Sequence, residues 1–481
     1  MVLSIFAGRF FLARCCSKSE REVPGLGQAA NGFFFIGEHL PLWSVIPFAG
    51  MLLSIALFPL LAPRFWHGHF GKVAAFWSLA ALAPMLILYG RAAMTGFLSV
   101  MINEYVPFVI LLGGLYSVSG GILLTGALRG TPATNTAVLA AGTVLASLMG
   151  TTGAAMLLVR PLLRANLHRS SKAFIIVFFI FLVANIGGAL TPLGDPPLFL
   201  GFLMGVPFLW SLHIAPHMIF SAGLLLAVFY FLDRHHYRKE GMQKNAPAEK
   251  NPPPFGIRGG WNLAFLAGIT GAVLFSGYAR LGEISFSGLS ISVQGVIRDA
   301  AIVIIMILSM ALTPEAIREE NNFTWFPLKE VAILFAAIFI TMTPCLDMLE
   351  AGASGRLGFI MNSLREPYHY FWATGILSSF LDNAPTYAAF LKAALGGFYP
   401  GMSGAHAVPM LIREHPAWLE AVSAGAVFFG AFTYIGNAPN FMVRSISEEA
   451  GVRMPGFAGY VIKYSLPVLV PVFALVTLIF F

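Results

Sequence analysis

Two aspartates lie inside apolar stretches long enough to cross a membrane, and both stand among residues that interrupt helices. Asp195 belongs to TPLGDPP (Thr191–Pro197), and Asp382 belongs to SSFLDNAPT (Ser378–Thr386). A carboxylate at membrane depth is costly to bury and usually has a function, such as binding an ion or a proton. Aspartate also caps helices, and one side chain can fill both roles. The sequence therefore predicts ion binding at Asp195 and Asp382.

Neighbouring residues supply the oxygen atoms that a hard cation prefers. Serine and threonine hydroxyls, asparagine amide oxygens and the free carbonyls of an unwound helix all qualify, and one carboxylate adds charge. The candidate residues of the first site are Asp195, Gly194, Ser147, Thr151, Thr152 and Thr191, and those of the second are Asp382, Asn383, Asn437, Gly436, Ser379, Thr386 and Thr433. We expect Na⁺ and H⁺ as the transported or coupling ions, with Asp195 and Asp382 as the sodium ligands, and no resident cofactor.

Charge is scarce along the whole chain, which limits the class of protein. Of the 481 residues, 11% are charged and 57% are apolar, whereas soluble domains carry roughly 25% charged residues. So few charges cannot cover a water-facing surface, which excludes a soluble enzyme, a nucleic-acid-binding protein and a disordered chain. The net charge of +7 is typical of basic cytoplasmic loops. Three cysteines are too few for a disulfide framework or a zinc site. We expect a multi-pass protein of the cell (inner) membrane that contacts lipid and no nucleic acid.

Stretches of about 20 apolar residues mark the expected membrane crossings. They are 43–62, 73–90, 104–125, 173–213, 214–232, 261–278, 295–313, 328–349, 418–443 and 457–480. The stretches 173–213 and 418–443 contain glycine and proline and predict broken helices. Two further stretches, 136–158 and 369–395, have polar centres and predict re-entrant hairpins. The expected fold is an all-α polytopic membrane protein with about ten transmembrane helices and two hairpins.

The distribution of basic residues supports this threading, because lysine and arginine favour the cytoplasmic side. Segments placed in the cytoplasm carry 17 of them, and segments placed outside carry 7. Residues 233–260, with mixed charges and a triple proline, are predicted to be a cytoplasmic linker. This linker joins a first repeat, 43–232, to a second repeat, 261–481. Residues 1–42 do not fit the rule and form an N-terminal extension without a predicted side.

Several other ionisable residues are expected to lie at the membrane interface without a role in transport. Glu104, Glu283 and Asp347 fall near predicted span ends, where an interfacial position is expected. His213 and His217 lie on the outer side between spans. A histidine there can sense pH, but an ordinary interfacial role is expected.

The two broken stretches are related in sequence. Gly188–Leu200 reads GALTPLGDPPLFL and Gly430–Met442 reads GAFTYIGNAPNFM, with six of thirteen positions identical. Upstream, LASLMGTTGAAM (Leu145–Met156) parallels LSSFLDNAPTYA (Leu377–Ala388) in the same order. Each half contributes an odd number of crossings, so the second copy is predicted to be inverted in the membrane. Inverted repeats with broken helices at their interface are typical of secondary transporters.

At these motifs the chain resembles the ion transporter superfamily, which groups NhaD-type sodium/proton antiporters, citrate and dicarboxylate/sodium symporters, and arsenite permeases. The matching segments are Thr191–Pro197, Ser378–Thr386 and Tyr434–Asn440. The resemblance implies a scaffold domain, a moving transport domain with both hairpins, elevator-like alternating access and often a homodimer. Dicarboxylate members carry Ser-Asn-Thr at each hairpin tip, whereas this chain has Gly150-Thr151-Thr152 and Asp382-Asn383-Ala384. It is therefore more similar to the antiporter branch.

A sodium/proton antiporter is the leading hypothesis, with no enzymatic activity. Each site is expected to receive one carboxylate, with Asp195 facing the first hairpin and Asp382 facing the second broken helix. The first alternative is a sodium-coupled citrate or dicarboxylate symporter, in which helix N-termini hold the anion. An intramembrane aspartyl protease is disfavoured because Pro192-Leu193-Gly194 lacks the first glycine of a Gly-x-Gly-Asp pattern. A passive channel is disfavoured because broken inverted repeats favour a carrier.

Overall fold

Helices make up most of the fold. The computed structural model describes residues 37–126, 128–241, 256–286, 288–352 and 355–481. The α-helices are α1 (Ile46–Leu61), α2 (Pro63–Val100), α3 (Val106–Ser119), α4 (Pro132–Met149), α5 (Thr151–Ala165), α6 (Ala173–Leu182), α7 (Pro196–Leu203), α8 (Ala215–Lys239), α9 (Trp261–Tyr278), α10 (Val293–Leu312), α11 (Glu315–Glu320), α12 (Phe326–Glu350), α13 (Gly358–Ser363), α14 (Pro367–Phe380), α15 (Asn383–Phe398), α16 (Gly404–Glu414), α17 (Pro416–Phe429), α18 (Ala438–Glu449), α19 (Phe457–Tyr460) and α20 (Val470–Phe480). Shorter 3₁₀ and π segments connect several of them.

Within the described ranges, nine helical segments are long and apolar enough to cross a membrane. One of them, Pro63–Ser119, is 57 residues long and covers two of the predicted crossings. Gly90, with a φ of +54°, interrupts its helical backbone between those two crossings. The stretch 418–443 is absent from the nine because its first helix is short, with Pro416–Phe432 as its apolar part. These segments confirm the predicted all-α, multi-pass membrane protein.

Two short antiparallel strand pairs lie outside the long helices. Strand β1 (Leu123–Thr125) pairs with β2 (Gly256–Arg258), with Leu124 opposite Ile257. Strand β3 (Glu283–Phe286) pairs with β4 (Leu289–Ser292). The first pair ties the end of α3 to the chain that enters α9.

Both predicted hairpins are helix–turn–helix pairs, and each pair extends beyond the predicted stretches 136–158 and 369–395. The first consists of α4 and α5, which meet at Gly150 with a φ of +82°. Its outer ends are joined by Asn135 and Asn166, whose side chains exchange hydrogen bonds of 3.0 and 2.8 Å. The second consists of α14 and α15, joined through Leu381 and Asp382. Each pair therefore turns back at its polar tip.

The two broken helices run through the centre of the protein. Every residue from Phe174 to Ala189 is buried, and so is every residue from Ala421 to Ala431. A helix that is apolar on all sides buries all of its faces, which explains why these segments occupy the core. A 3₁₀ turn follows each first half, at Ile186–Leu190 and Gly430–Phe432. Chain without α-helical hydrogen bonds is thus enclosed by protein, as membrane-embedded backbone requires.

Segments predicted on the same side of the membrane contact each other. Arg169 forms ion pairs of 2.7 Å with both Asp233 and Glu240, all three from segments placed in the cytoplasm. Lys392 forms an ion pair of 2.6 Å with Glu350, and both residues belong to segments placed outside. Half of the predicted linker (242–255) and most of the N-terminal extension (1–36) lie outside the described residues.

Candidate functional site

Four helices begin at one buried point. Thr151 is the first residue of α5 and Asn383 is the first residue of α15, while Asp195 and Asn437 immediately precede α7 and α18. All four side chains are at most 2% exposed. The N-terminus of a helix carries partial positive charge. Their convergence therefore favours negative charge at this point, which Asp195 provides.

The Asp195 carboxylate accepts three hydrogen bonds from neutral side chains. Thr151 Oγ1 and Asn437 Nδ2 donate to Oδ1 at 3.2 and 3.1 Å, and Asn383 Nδ2 donates to Oδ2 at 2.6 Å. Two of the three donors come from the second half of the chain. Across the described residues, no lysine, arginine or histidine forms an ion pair with Asp195. We call Asp195, Thr151, Asn383 and Asn437 the Asp195 cluster.

Asp382 lies at the tip of the second hairpin and is half-buried. Its carboxylate caps α15 by accepting a hydrogen bond of 3.1 Å from the Ala384 amide, and its carbonyl accepts one of 3.0 Å from Thr386 Oγ1. It lies close enough to Asp195 for the two charges to repel. Among the described residues, no hydrogen bond joins its carboxylate to the second broken helix. Asp195 is thus the hydrogen-bonded centre, and Asp382 is connected to it through Asn383, the next residue in the chain.

The same contact fastens each hairpin to its broken helix. Thr191 Oγ1 donates to the carbonyl of Ser147, and Thr433 Oγ1 donates to the carbonyl of Ser379 at 2.5 Å. Ser147 also donates to the Gly187 carbonyl at 2.5 Å. In the sequence repeat, Ser147 corresponds to Ser379 and Thr191 corresponds to Thr433. Their hydroxyls hold backbone in place, as serine and threonine commonly do within membranes.

Glycine is required where the broken chain folds back on itself. A Cβ atom on Gly194 would lie 2.1 Å from the Gly188 carbonyl oxygen, and one on Gly436 would lie 2.8 Å from the Gly430 oxygen. The Gly194 carbonyl accepts a hydrogen bond of 2.9 Å from the Thr151 amide. The same close approach therefore shapes both breaks and places the first hairpin tip beside Asp195.

Two functional candidates, Asn185 and Asn440, were missed by the sequence analysis. Asn185 Nδ2 donates to Asn440 Oδ1 at 2.7 Å, and Asn437 Nδ2 lies 3.3 Å from Asn185 Oδ1. Asn440 in turn donates to the carbonyls of Gly430 and Thr433 at 2.7 and 2.9 Å. Asn185 is the only polar residue in the apolar run 173–188, and that isolation was the available signal. The pair links the two broken helices directly.

A cavity of about 100 Å³ lies next to the Asp195 cluster. Asp195, Thr151 and the half-buried Thr152 form part of one wall, and Tyr116 of α3 and Leu328 of α12 belong to the other. Most of its remaining lining is apolar. Of the described residues that line it, none is lysine, arginine or histidine. The cavity brings free space to a carboxylate that is otherwise enclosed.

The fold and the cluster define a polytopic membrane protein with a buried carboxylate where two hairpins and two broken helices meet. A family model described as "Putative citrate transport" matches residues 37–481. The chain belongs to this family of transporters, which confirms the predicted membership among citrate transporter-like proteins of the ion transporter superfamily. A search of curated proteins finds no match.

Proposed function

We propose that this transporter is a sodium/proton antiporter of the cell (inner) membrane, in which Na⁺ and H⁺ bind alternately at Asp195. The observation that carries the proposal is the burial of this carboxylate, 1% exposed, with three neutral donors and no basic partner among the described residues. A buried carboxylate is stable only when its charge is neutralised or well paired. A proton and a monovalent cation each supply that neutralisation, and each excludes the other.

Further oxygen atoms around Asp195 suit a cation. Asn383 Oδ1 is buried and has no hydrogen-bond partner, so it is available as a ligand. Asp382 adds a second carboxylate, whose repulsion with Asp195 a bound cation relieves. Hard cations prefer several such oxygen ligands. The two aspartates and Asn383 are therefore the proposed sodium ligands, and Thr151 and Asn437 orient Asp195.

Exchange follows if the Asp195 cluster opens to one side of the membrane at a time. We assign that movement to the two hairpins and their broken helices, arranged as inverted repeats, with the remaining helices as scaffold. Repeats of this kind alternate around a fixed site in secondary transporters. In this proposal a cluster that faces one side with Na⁺ returns with H⁺, since an empty, charged Asp195 is costly to carry across the membrane. A homodimer is the proposed assembly.

The second candidate function is a sodium-coupled citrate or dicarboxylate symporter. The family description favours it, and the four converging helix N-termini suit an anion. Arg160 lies further along α5, the helix that begins at Thr151, and offers the positive charge that the cavity lining lacks, because its Nη1 is buried without a hydrogen-bond partner. In this case Na⁺ at Asp195 would neutralise the site before the anion binds.

One assay separates the two functions. Purified protein is reconstituted into liposomes that contain a pH-sensitive dye, and Na⁺, Li⁺, K⁺ and citrate are added in turn. Proton flux driven by Na⁺ without any organic anion supports the antiporter and excludes obligatory symport. The symporter is supported instead if uptake of labelled citrate requires Na⁺ and no proton flux occurs in the absence of citrate.

A further inference from the structure

A second group of ionisable side chains lies away from Asp195, between α12 and the second hairpin. Glu104 lies in the π-helical turn Met101–Tyr105, Asp347 and Glu350 lie at the end of α12, and Lys392 lies in α15. Lys392 Nζ is 2.6 Å from Glu350 Oε2, and the Glu350 side chain is 9% exposed. We call these four residues the outer cluster, because the predicted threading places this end of α12 outside.

Two carboxylate oxygens of the outer cluster have no partner. Glu350 Oε1 and Asp347 Oδ2 are both buried without a hydrogen bond. The two residues are three positions apart in one helix and therefore lie on the same face. A single added proton would satisfy both oxygens, since a protonated carboxyl donates and an ionised carboxylate accepts. A buried pair of carboxylates ordinarily holds a proton in this way.

The charges that surround Glu350 are unbalanced. Asp347 lies on its own helix, Glu104 comes from the π-helical turn and Lys392 comes from α15. The buried Cys345 thiol lies within reach of the Asp347 charge, and Tyr89 lines a small cavity together with Asp347. Three carboxylates thus face one ammonium group. Among the described residues, these carboxylates included, no three His, Cys, Asp or Glu side chains are placed to hold a metal ion together, so we take a proton as the neutralising species of the outer cluster.

The outer cluster also connects two parts of the fold. A Cβ atom on Gly352 would lie 2.2 Å from the Gly396 oxygen, and one on Gly396 would lie 2.0 Å from the Leu349 oxygen. The backbone of α15 therefore rests directly against the end of α12, and the Lys392–Glu350 ion pair crosses this contact. A change in the charge of Glu350 alters the strength of that ion pair.

We infer that Asp347 and Glu350 bind one shared proton, taken from water, and that this proton weakens the attachment of Lys392 and α15 to α12. The inference rests on the proposed function only in treating α15 as part of a moving hairpin. Asp195 takes no part in it. Proton binding at the outer cluster therefore regulates transport, whereas Asp195 carries the transported ion.

Infrared spectroscopy tests the proton directly. The difference spectrum between the wild type and the Asp347→Asn/Glu350→Gln double variant should contain the carbonyl band of a protonated carboxyl at neutral pH. Exposed Glu319 provides the control, because Glu319→Gln should leave the band unchanged. If the double variant does not fold, the isosteric Asp347→Asn variant replaces it. A difference spectrum without this band overturns the inference, whatever the transport activity of the Asp195→Asn variant.

Hydrogen exchange tests the consequence for α15. In the wild type, amide exchange in α15 relative to α14 should be faster at neutral pH than at alkaline pH, because loss of the shared proton at alkaline pH restores the full ion pair. Lys392→Met should remove this pH dependence, and the exposed Lys329→Met should retain it. A pH dependence that survives in Lys392→Met contradicts the proposed attachment.

Discussion

Asn383 donates a hydrogen bond of 2.6 Å to Asp195, across 188 positions of sequence. This contact joins the tip of the second hairpin to the break in the first half. Asn437 reaches the other carboxylate oxygen from the second break at 3.1 Å. Asp195 is therefore the point where both halves of the protein meet, and any movement of either hairpin changes its surroundings.

The Asn383 amide should contribute to cation binding. In Asn383→Leu, Asp195 loses a donor and the site loses the unpartnered Oδ1 oxygen. We expect the sodium concentration for half-maximal transport to rise about tenfold, which corresponds to 1.4 kcal/mol of binding free energy. Sodium titrations of dye-loaded proteoliposomes measure this. Asn103→Leu, at a residue bonded to the Ser290 carbonyl, is the matched control, and an equal rise there would refute a local role for Asn383.

Asp382 allows its capping role to be separated from its charge. Asn is as good an N-cap as Asp, whereas Ala removes the cap. We expect Asp382→Asn to keep the stability of the protein and lose sodium-driven exchange. Asp382→Ala should lose exchange and also about 1 kcal/mol of stability. Thermal unfolding in detergent and exchange in proteoliposomes provide the two readouts. Full exchange by Asp382→Asn would mean that Asp382 only caps α15.

Gly194 should not tolerate a side chain. Its Cβ would lie 2.1 Å from backbone oxygen of Gly188, which cannot move aside as a side chain can. Overpacking of this kind costs about 1–3 kcal/mol, so Gly194→Ala should lower the midpoint of thermal unfolding and abolish transport. Gly223→Ala is the control, because a Cβ at Gly223 in α8 meets nothing within 4 Å. Equal stability of the two variants would contradict the close approach at the break.

Thr191 and Thr433 should have matching effects, because each fastens a hairpin to a broken helix. Thr→Val at either position removes a hydroxyl that donates to a serine carbonyl. We expect a loss of about 1 kcal/mol in each case. Thr143→Val is the control: Thr143 donates to the Leu139 carbonyl of its own helix, so this variant should alter the attachment of the hairpin less than either Thr191→Val or Thr433→Val. Hydrogen exchange of α5 and α15 would reveal loosening of the corresponding hairpin, and unchanged exchange in both variants would contradict this role.

The parts of the site that depend on local chemistry could be predicted from the sequence. The glycine and proline residues near Asp195 predict a broken helix from local chemistry alone. The similarity between 188–200 and 430–442 predicts a second broken helix of the same kind. The sequence placed Ser147 with Thr191 at one site and Ser379 with Thr433 at the other, and in the structure the two residues of each pair are in contact.

The partners of Asp195 could not be predicted, because they depend on packing between distant segments. The repeat suggested two separate sites, each with one carboxylate. In the structure Asn383 and Asn437 both bond Asp195 instead of Asp382. Position near a span end likewise did not reveal that Asp347 shares a buried cluster with Lys392.

The most direct test of the account compares Asp195→Asn with Asp299→Asn in sodium-driven proton exchange by proteoliposomes. Asp299 already pairs with Arg298 at 2.7 Å, so its variant controls for the loss of an aspartate elsewhere. We expect the exchange rate of Asp195→Asn to fall to that of protein-free liposomes and the exchange rate of Asp299→Asn to equal that of the wild type. Exchange by correctly folded Asp195→Asn protein at the wild-type rate would contradict it.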